Sequence, residues 1–454
     1  MHPQNIPAEL GTEKISKLLR QYAIPAIIAM TASSLYNLVD SIYIGHGVGA
    51  LAISGLAVTF PFMNISAAFG TLVGIGASTL VSVKLGQKDY ASAQKVLGNL
   101  IVLNIFIGSL FTIVSLLFLD PVLFFFGAGE QTVAYARAYM FIILLGNIVT
   151  HLYFGLNNVL RASGQPRKAM TLTISTVTLN TLLDPLFIFV FKWGIQGAAI
   201  ATILSQLIVL VWQMKIINNK KSLLHLRKEI VKIDFRIAKD MLSIGLSPFL
   251  MNVASCFIVI LINNGMKTYG GELAIGAFGI VNRFTFMFVM IVFGLNQGMQ
   301  PIAGYNYGAG NTSRVLEVLK MTIIFATIVM TVSFLIGELF PEVVVRLFTG
   351  DRELIGLSVE GLRIAVMCYP LIGAQIVISS FFQSIGKAGK AIILSLTRQV
   401  LVLIPCLIIL PKLFGVTGVW ASMPASDLVA CFVSTVMIYI QIKQFTFCAT
   451  VPTV

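Results

Sequence analysis

The sequence predicts an all-α integral membrane protein with twelve transmembrane helices in two six-helix lobes. Three observations predict this fold. Hydrophobic residues make up 57% of the 454 residues and charged residues only 11%, with a mean hydropathy of +0.91, whereas about a quarter of the residues in a soluble domain are charged. The apolar residues form runs that reach the length of about 20 residues needed to cross a bilayer. The second half of the chain also repeats the first.

Glycine, proline and charged residues divide the apolar sequence into twelve segments. In chain order, we predict helices near 15–44, 50–80, 95–119, 133–160, 168–192, 195–215, 238–265, 273–304, 316–341, 358–384, 391–411 and 415–441. The first segment is longer than the core of a signal peptide and lacks a small-residue cleavage pattern. We therefore expect it to be retained as the first helix.

The internal repeat has a shift of 222 residues, which aligns the segment 49–53 (GALAI) with 271–275 (GELAI). The glycine pairs in register are Gly49 with Gly271, Gly164 with Gly386 and, at a shift of 221, Gly194 with Gly415. Because each half has an even number of helices, both halves enter the membrane from the same side, so they are parallel repeats. A cavity between two such halves can open to either side, which favours a secondary transporter over a channel.

The net charge of +13 is compatible with nucleic-acid binding or with membrane topology, and its placement favours topology. If both termini are cytoplasmic, 23 of the 31 lysine and arginine residues lie on the cytoplasmic side, as the positive-inside rule requires. We therefore predict a multi-pass protein of the cytoplasmic (inner) membrane with no nucleic-acid partner. The predicted regions are a cytoplasmic N-terminal segment 1–14, an N-lobe 15–215, a cytoplasmic basic linker 216–237, a C-lobe 238–441 and a cytoplasmic C-terminal tail 442–454.

Two carboxylates, Asp40 and Asp184, lie deep within apolar segments of the first half. A charge at the centre of a membrane helix costs about 2.5–3.5 kcal/mol even on insertion scales, so a functional role is favoured over a simple hydrogen bond to a helix break. Tyr36 and Asn37 share the helix face of Asp40, and Asn180 shares that of Asp184, because residues three or four apart are neighbours. Such oxygen groups suit a proton or a hard cation such as Na⁺. The next helix adds the Thr202 hydroxyl near mid-span, and the fourth helix adds the amides of Asn157 and Asn158 towards its cytoplasmic end.

The second half has no acid at the positions that match these aspartates, which are Ile262 and Cys406. We therefore expect cation coupling to be confined to the first half. Asp427 is the remaining intramembrane acid, and we predict an ion pair with Arg398 on the preceding helix. Three polar residues of the eighth helix are candidates for lining the second half of the cavity: Asn282, Asn296 and Gln297.

Five parts of the sequence form a pattern that resembles a known family. They are Pro25 with 36–40 (YNLVD), 83–87 (VKLGQ), 160–166 (LRASGQP), 180–185 (NTLLDP) and 194–199 (GIQGAA). With these motifs the chain resembles the multidrug and toxic compound extrusion (MATE) family, in particular its DinF- and MepA-like branch, over nearly its whole length.

The resemblance implies a V-shaped fold and a cation-coupled antiporter that exports amphipathic, often cationic organic compounds. It implies that Asp40 and Asp184 bind the coupling H⁺ or Na⁺ and that Asn180 and Thr202 complete the site. Asn157 and Tyr36 would join its polar network, and Pro25 would be the bending point of the first helix.

Two other functions stay open at this stage. A flippase for a lipid-linked precursor or lipid would favour a strongly basic central cavity, and a membrane scaffold or receptor would tolerate the loss of both carboxylates. The histidines and cysteines lack the spacing of a metal site or a hydrolytic triad. We therefore predict no enzyme activity, no catalytic residues and no cofactor, and we expect a monomer whose partners are the lipid bilayer and small organic substrates.

Overall fold

The computed structural model describes residues 9–219, 223–225 and 232–450. Within these residues every regular element is a helix, so the predicted all-α fold class is confirmed. Large apolar side chains remain exposed along the helices, and several are more than two-thirds exposed, among them Leu117, Phe125, Leu347 and Phe432. Exposed apolar surface on this scale is the mark of a membrane protein.

The first half of the chain contains nine helices and one π-helical turn. They are α1 (Glu9–Thr12), α2 (Ile15–Gly47), α3 (Ala50–Gly86), α4 (Tyr90–Leu117), α5 (Leu119–Phe125), α6 (Val133–Leu145), α7 (Asn147–Ala162), α8 (Pro166–Pro185), the π-helical turn Leu186–Val190 and α9 (Gly194–Ile217). Helices α6 and α7 meet at an angle of 55° and together make one broken span. The described residues of this half therefore form six apolar spans.

The second half contains seven helices and a second π-helical segment. They are α10 (Phe235–Gly308), α11 (Thr312–Leu339), α12 (Pro341–Arg346), α13 (Arg352–Val366), α14 (Tyr369–Ser384), α15 (Ala388–Leu396), the π-helical segment Thr397–Leu403 and α16 (Ile404–Thr450). Helix α10 turns at Gly271 (φ 75°) and α16 at Gly415 (φ 59°), and α13 and α14 form a bent pair at 53°. Six spans follow here too, so the described residues are consistent with the predicted twelve.

The repeat reappears in the backbone conformation. Positive φ values occur at Gly49 and Gly271, at Lys88 and Gly310, at Gly164 and Gly386, and at Gly194 and Gly415. The first three pairs are 222 residues apart and the last is 221 apart, as in the sequence alignment. A left-handed turn favours glycine because it has no Cβ, which explains why glycines carry most of the repeat signal.

The chain divides by packing into two compact units, one containing Ile28–Phe249 and the other Lys14–Ile27 with the chain from Leu250 onward. The chain changes unit after Glu13, after Ile27 and after Phe249, and the last two changes are 222 residues apart and lie beside Pro25 and Pro248. These units are defined by packing, whereas the predicted lobes are defined by the sequence repeat. The two divisions differ at the start of the first helix of each half, which packing places in the unit of the other half.

Close glycine crossings hold these helix starts in their units. In the first unit, a Cβ added to Gly76 would meet the Met241 carbonyl oxygen, and one added to Gly245 would meet that of Leu72. In the second unit, a Cβ on Gly298 would lie 2.6 Å from the Ala23 Cα. Small residues let helix backbones approach this closely in membranes.

The described part of the basic linker is attached to α4. The Gln94 side chain makes two hydrogen bonds with the backbone of His225, through its Nε2 donor and its Oε1 acceptor. Asn99 Oδ1 accepts from the Asp234 backbone N–H (3.0 Å), and Lys95 forms an ion pair with Asp234. The predicted linker also includes residues 220–222 and 226–231, which lie outside the described residues.

Candidate functional site

Four helices of the first unit contribute polar side chains to one buried group. Helix α2 carries Tyr36 and Asp40, α6 carries Tyr139, α8 carries Asn180 and Asp184, and α9 carries Thr202. We call these six residues the carboxyl cluster. Asp184 is fully buried and Asp40 is 5% exposed, so neither carboxyl group is exposed to solvent as a surface carboxyl group would be.

The hydroxyl group of Thr202 is the centre of the carboxyl cluster. Tyr36 Oη lies 3.1 Å from Thr202 Oγ1, in a hydrogen bond that either hydroxyl can donate. Asn180 Nδ2 donates to the same Thr202 oxygen (3.4 Å), and the buried Tyr139 side chain lies near Thr202, Tyr36 and both carboxyl groups. One side chain on α9 is therefore hydrogen-bonded to both α2 and α8.

The two carboxyl groups lie close enough for their charges to repel each other. Asn180 Nδ2 donates to Asp184 Oδ1 (3.3 Å). One of the four carboxylate oxygens of Asp40 and Asp184 therefore has a hydrogen-bond donor. Two buried anions that repel each other are costly unless a positive charge compensates them. The geometry therefore calls for a positive charge beside Asp40 and Asp184.

Three buried oxygens of the cluster accept no hydrogen bond from any described residue: Asp40 Oδ1, Asn180 Oδ1 and Asp184 Oδ2. Buried polar atoms are normally paired, so unpaired ones need an explanation. Carboxylate, amide and hydroxyl oxygens are the ligands of hard cations, and a carboxylate oxygen also binds a proton. The donor set thus fits either H⁺ or Na⁺.

The local structure of α8 and α9 explains how these oxygens converge. Proline at position 185 lacks an N–H group and cannot continue regular α-helical bonding, and the π-helical turn Leu186–Val190 follows it directly. Gly197 on α9 packs on this turn, since a Cβ there would lie 2.9 Å from the Phe187 carbonyl carbon. This close approach brings α9, and with it Thr202, against Asn180 and Asp184.

Tyr139 is a member of the cluster that sequence reasoning missed. It lies in the apolar run 138–145 of α6 and is 1% exposed. A tyrosine in such a run is equally compatible with a packing role. The sequence contains no local signal for its position near Thr202, because the two residues are 63 positions apart.

Asn157 has partners different from those that the resemblance implied. Its Nδ2 donates to the Ala169 carbonyl oxygen (3.0 Å) and to Thr173 Oγ1 (3.4 Å), and its Oδ1 accepts from Arg161 Nη2 (3.0 Å). The Arg161 guanidinium lies one helical turn later on α7 and is hydrogen-bonded to this amide.

Two further predicted residues lie on α2. The side chain of Asn37 lies outside the described residues, and Pro25 lies within the continuous helix α2.

The three polar residues predicted to line the second half of a cavity differ in exposure. Asn296 is 6% exposed and both polar atoms of its amide have no partner among the described residues. Asn282 is exposed and Gln297 is half-buried. The three side chains therefore do not form one buried polar group, and their role in lining a cavity stays a prediction.

The predicted ion pair of the second half is present. Arg398 Nε donates to Asp427 Oδ1 (2.8 Å), with the Asp427 side chain 5% exposed and that of Arg398 28% exposed. Arg398 lies in the π-helical segment Thr397–Leu403. The only intramembrane acid that we identified in the sequence of this half is thus neutralised by a neighbouring helix.

Comparisons with known proteins place the chain in a family. The sequence profile of the MatE family matches residues 25–186 and 244–408, which is more than half of the chain and includes both halves of the repeat. The chain belongs to the MATE family. The family consists of transporters rather than enzymes, so this protein is a multi-pass membrane transporter.

Relatives of this MATE transporter match nearly its whole length. It is 28% identical to the multidrug export protein MepA of Staphylococcus haemolyticus, over 94% of this chain and 93% of that one. It is 27% identical to MepA of Staphylococcus aureus strain MSSA476, over 95% of each chain. Among solved structures, it is 37% identical to the MATE multidrug transporter DinF-BH, solved as a complex, with a TM-score of 0.88 over 94% of this chain and 96% of that one. A MATE structure in the bent conformation is 25% identical over 99% of both chains and has a TM-score of 0.92.

Proposed function

We propose that this MATE transporter is a cation-coupled multidrug efflux antiporter, driven by H⁺ or Na⁺, that works by alternating access. The observation that carries the proposal is the carboxyl cluster, in which two buried carboxylates and one amide present oxygens that have no hydrogen-bond donor among the described residues. A buried site of this kind gains a large favourable interaction when it binds a cation.

The coupling ion acts by compensating the repulsion between Asp40 and Asp184. A bound H⁺ or Na⁺ neutralises one charge, and its release restores the repulsion. The cluster therefore has one state with the cation bound and one state without it. When the two conformations of a transporter favour different states, cation binding determines the side to which the transporter opens. One elementary charge crossing 100 mV releases about 2.3 kcal/mol, which corresponds to a concentration ratio of about 50 for an uncharged cargo.

The cargo class is amphipathic, often cationic organic compounds. The support comes from relatives, since both MepA proteins are named multidrug export proteins and DinF-BH is named a multidrug transporter. The flippase alternative has less support, because these relatives are named for multidrug export or multidrug transport.

We further propose that the protein lies in the cytoplasmic membrane with both termini cytoplasmic, as the positive-inside rule indicates, and that it acts as a monomer.

The test is a transport assay with the full-length protein in proteoliposomes. A fluorescent cationic dye serves as cargo, and a pH gradient and a Na⁺ gradient are imposed separately. We expect one gradient to drive dye accumulation against its concentration, while protein-free liposomes show none. If neither gradient moves the dye or any other organic cation tried in parallel, the proposal of cation-coupled efflux is wrong.

A further inference from the structure

The first residue of helix α10 exposes an aromatic ring. Phe235 is 83% exposed, which is the largest value among the large apolar side chains of the described residues, and Ile233 is 41% exposed. Removing apolar surface from water is favourable by about 25 cal/mol per Å². These two side chains therefore favour a partner with an apolar surface.

The turn that presents Phe235 is held in place. The Asp234 backbone N–H donates to Asn99 Oδ1 on α4 (3.0 Å), and the Asp234 carboxylate accepts from the backbone N–H groups of Arg236 (3.2 Å) and Ile237 (3.4 Å). Ile237 itself is only 8% exposed. The Phe235 ring therefore projects from a fixed turn, since the residues on both sides of it are bonded or buried.

Three basic side chains lie close in sequence to this apolar pair: Lys232, Arg236 and Lys239, all of them exposed. Within the part of the chain that the structure describes, none of these three side chains forms an ion pair or a hydrogen bond. Lys239 lies one helical turn after Phe235, so the two share a face of α10. We call Ile233, Phe235 and the three bases the α10 anchor.

The acids near the α10 anchor do not cancel its charge. Asp234 is paired with Lys95 of α4 (3.4 Å). Asp240 is exposed and is the remaining acid of the segment 232–240, so three bases stand against one carboxylate. The longer segment 215–239 has eight basic and two acidic residues. The surface around Phe235 is therefore positively charged.

The place of the α10 anchor in the fold indicates which anionic partner fits it. Phe235 is the first residue of a helix that is long and apolar enough to cross a membrane. The end of a span lies at the membrane interface, where aromatic rings and basic side chains are enriched. There an apolar side chain reaches the acyl boundary while basic side chains contact lipid phosphates. A soluble anion would compensate the bases and leave the ring in water.

We propose that the α10 anchor binds the surface of an anionic phospholipid membrane, with its two apolar side chains inserted at the interface and its three bases beside lipid phosphate groups. Since Asp234 is bonded to Asn99 and Lys95, this contact also fixes the adjoining end of α4 at the membrane surface. The α10 anchor is separate from the carboxyl cluster and does not depend on which ion drives transport.

The first test measures lipid binding to the purified full-length protein in detergent. Dissociation constants for phosphatidylglycerol and phosphatidylcholine are determined for wild type, Arg236→Gln and Lys412→Gln. Lys412→Gln is the matched control, because Lys412 is also exposed and lies beside an exposed apolar residue, Leu413. We expect Arg236→Gln to weaken phosphatidylglycerol binding about fivefold, as for one interfacial base, and to leave phosphatidylcholine binding unchanged. If Arg236→Gln and Lys412→Gln bind phosphatidylglycerol equally tightly, the proposal is wrong.

A second variant at the same position tests whether charge is the recognised feature. Arg236→Lys keeps the positive charge, so we expect it to bind phosphatidylglycerol as wild type does. Binding as weak as that of Arg236→Gln would overturn the proposal. The same holds if inorganic phosphate or an RNA oligonucleotide binds to wild type as tightly as phosphatidylglycerol and loses this binding in Arg236→Gln, because the surface would then serve a soluble anion.

The insertion of the ring is tested with spin labels on single cysteines in a variant without native cysteines. One label is placed at position 235 and the control label at position 87, an exposed residue in the turn between α3 and α4. In phosphatidylglycerol vesicles we expect the label at position 235 to lose access to a neutral, water-soluble nickel chelate, while the label at position 87 keeps it. Equal access at the two positions would contradict the insertion of the α10 anchor.

Discussion

Thr202 shows how much of the site depends on a single hydroxyl group. It is hydrogen-bonded to side chains of α2 and α8, and the Tyr139 side chain of α6 lies near it and near the two carboxyl groups. Tyr36 and Tyr139 can each supply a hydrogen bond to the cluster without adding charge. The carboxyl cluster therefore contains one residue, Tyr139, beyond those that the sequence and the family resemblance indicated.

The first prediction concerns Tyr139, which the sequence did not identify. Tyr139→Phe removes one buried hydroxyl from the carboxyl cluster and keeps the ring, so we expect cation binding to weaken by about 1 kcal/mol, the usual size of one hydrogen bond. We expect the cation concentration for half-maximal transport to rise about fivefold while protein yield stays the same. Tyr135→Phe, one turn earlier on α6, is the matched control, and an equal effect in both variants would show that Tyr139 has no special role.

Sequence reasoning found the acids and missed some of their neighbours for a physical reason. A carboxylate in an apolar run is conspicuous because membrane burial of charge is costly. Tyrosine carries no such cost, so Tyr139 looks like a packing residue. Asn157 illustrates the reverse case, since the resemblance assigned it to the network around Asp40, whereas Arg161 four residues later binds its amide.

At the scale of elements, hydropathy predicted the spans well because every backbone group inside a bilayer must be hydrogen-bonded within a helix. The ends of the helices were less predictable, since α3 continues to Gly86 beyond the apolar run that was expected to end near 80. The short helices α5 and α12 were not predicted, because seven and six residues are too few for a periodic pattern. The glycine crossings between α3 and α10 were also hidden, because they join residues far apart in sequence.

The second prediction tests one of these crossings. Gly76→Ala places a methyl group against the Met241 carbonyl oxygen, so the backbones of α3 and α10 must separate. We expect a loss of about 1–3 kcal/mol, as for other overpacked sites, seen as a lower thermal unfolding temperature of the purified protein. Gly279→Ala is the control, because nothing lies within 4 Å of its new Cβ, and an equal loss in both variants would contradict the crossing.

At the scale of the whole molecule, the repeat and the charge distribution lead to one topology. Both halves enter the membrane from the same side because each has six spans, and most lysines and arginines lie in alternate loops. In the orientation that we propose, Lys239 is cytoplasmic and Lys412 lies outside. Both side chains are exposed, so each can report on its side of the membrane.

The third prediction uses these two positions. In a variant without native cysteines, we expect a cysteine at position 412 to react with a membrane-impermeant maleimide in intact cells. A cysteine at position 239 should react only in inverted vesicles. The opposite labelling pattern would reverse the predicted orientation, and with it the direction in which the coupling ion drives transport.

The measurement that tests the central claim most directly is gradient-driven dye transport by Asp40→Asn and Asp184→Asn in proteoliposomes, with equilibrium dye binding measured on the same preparations. Each substitution removes one charge from the carboxyl cluster and keeps its shape, so we predict that both lose gradient-driven transport by more than about tenfold, the equivalent of about 1.4 kcal/mol, while dye binding remains. Asp240→Asn, at an exposed acid, should behave as wild type. If both cluster variants retain ion-dependent transport, Asp40 and Asp184 are not the coupling site.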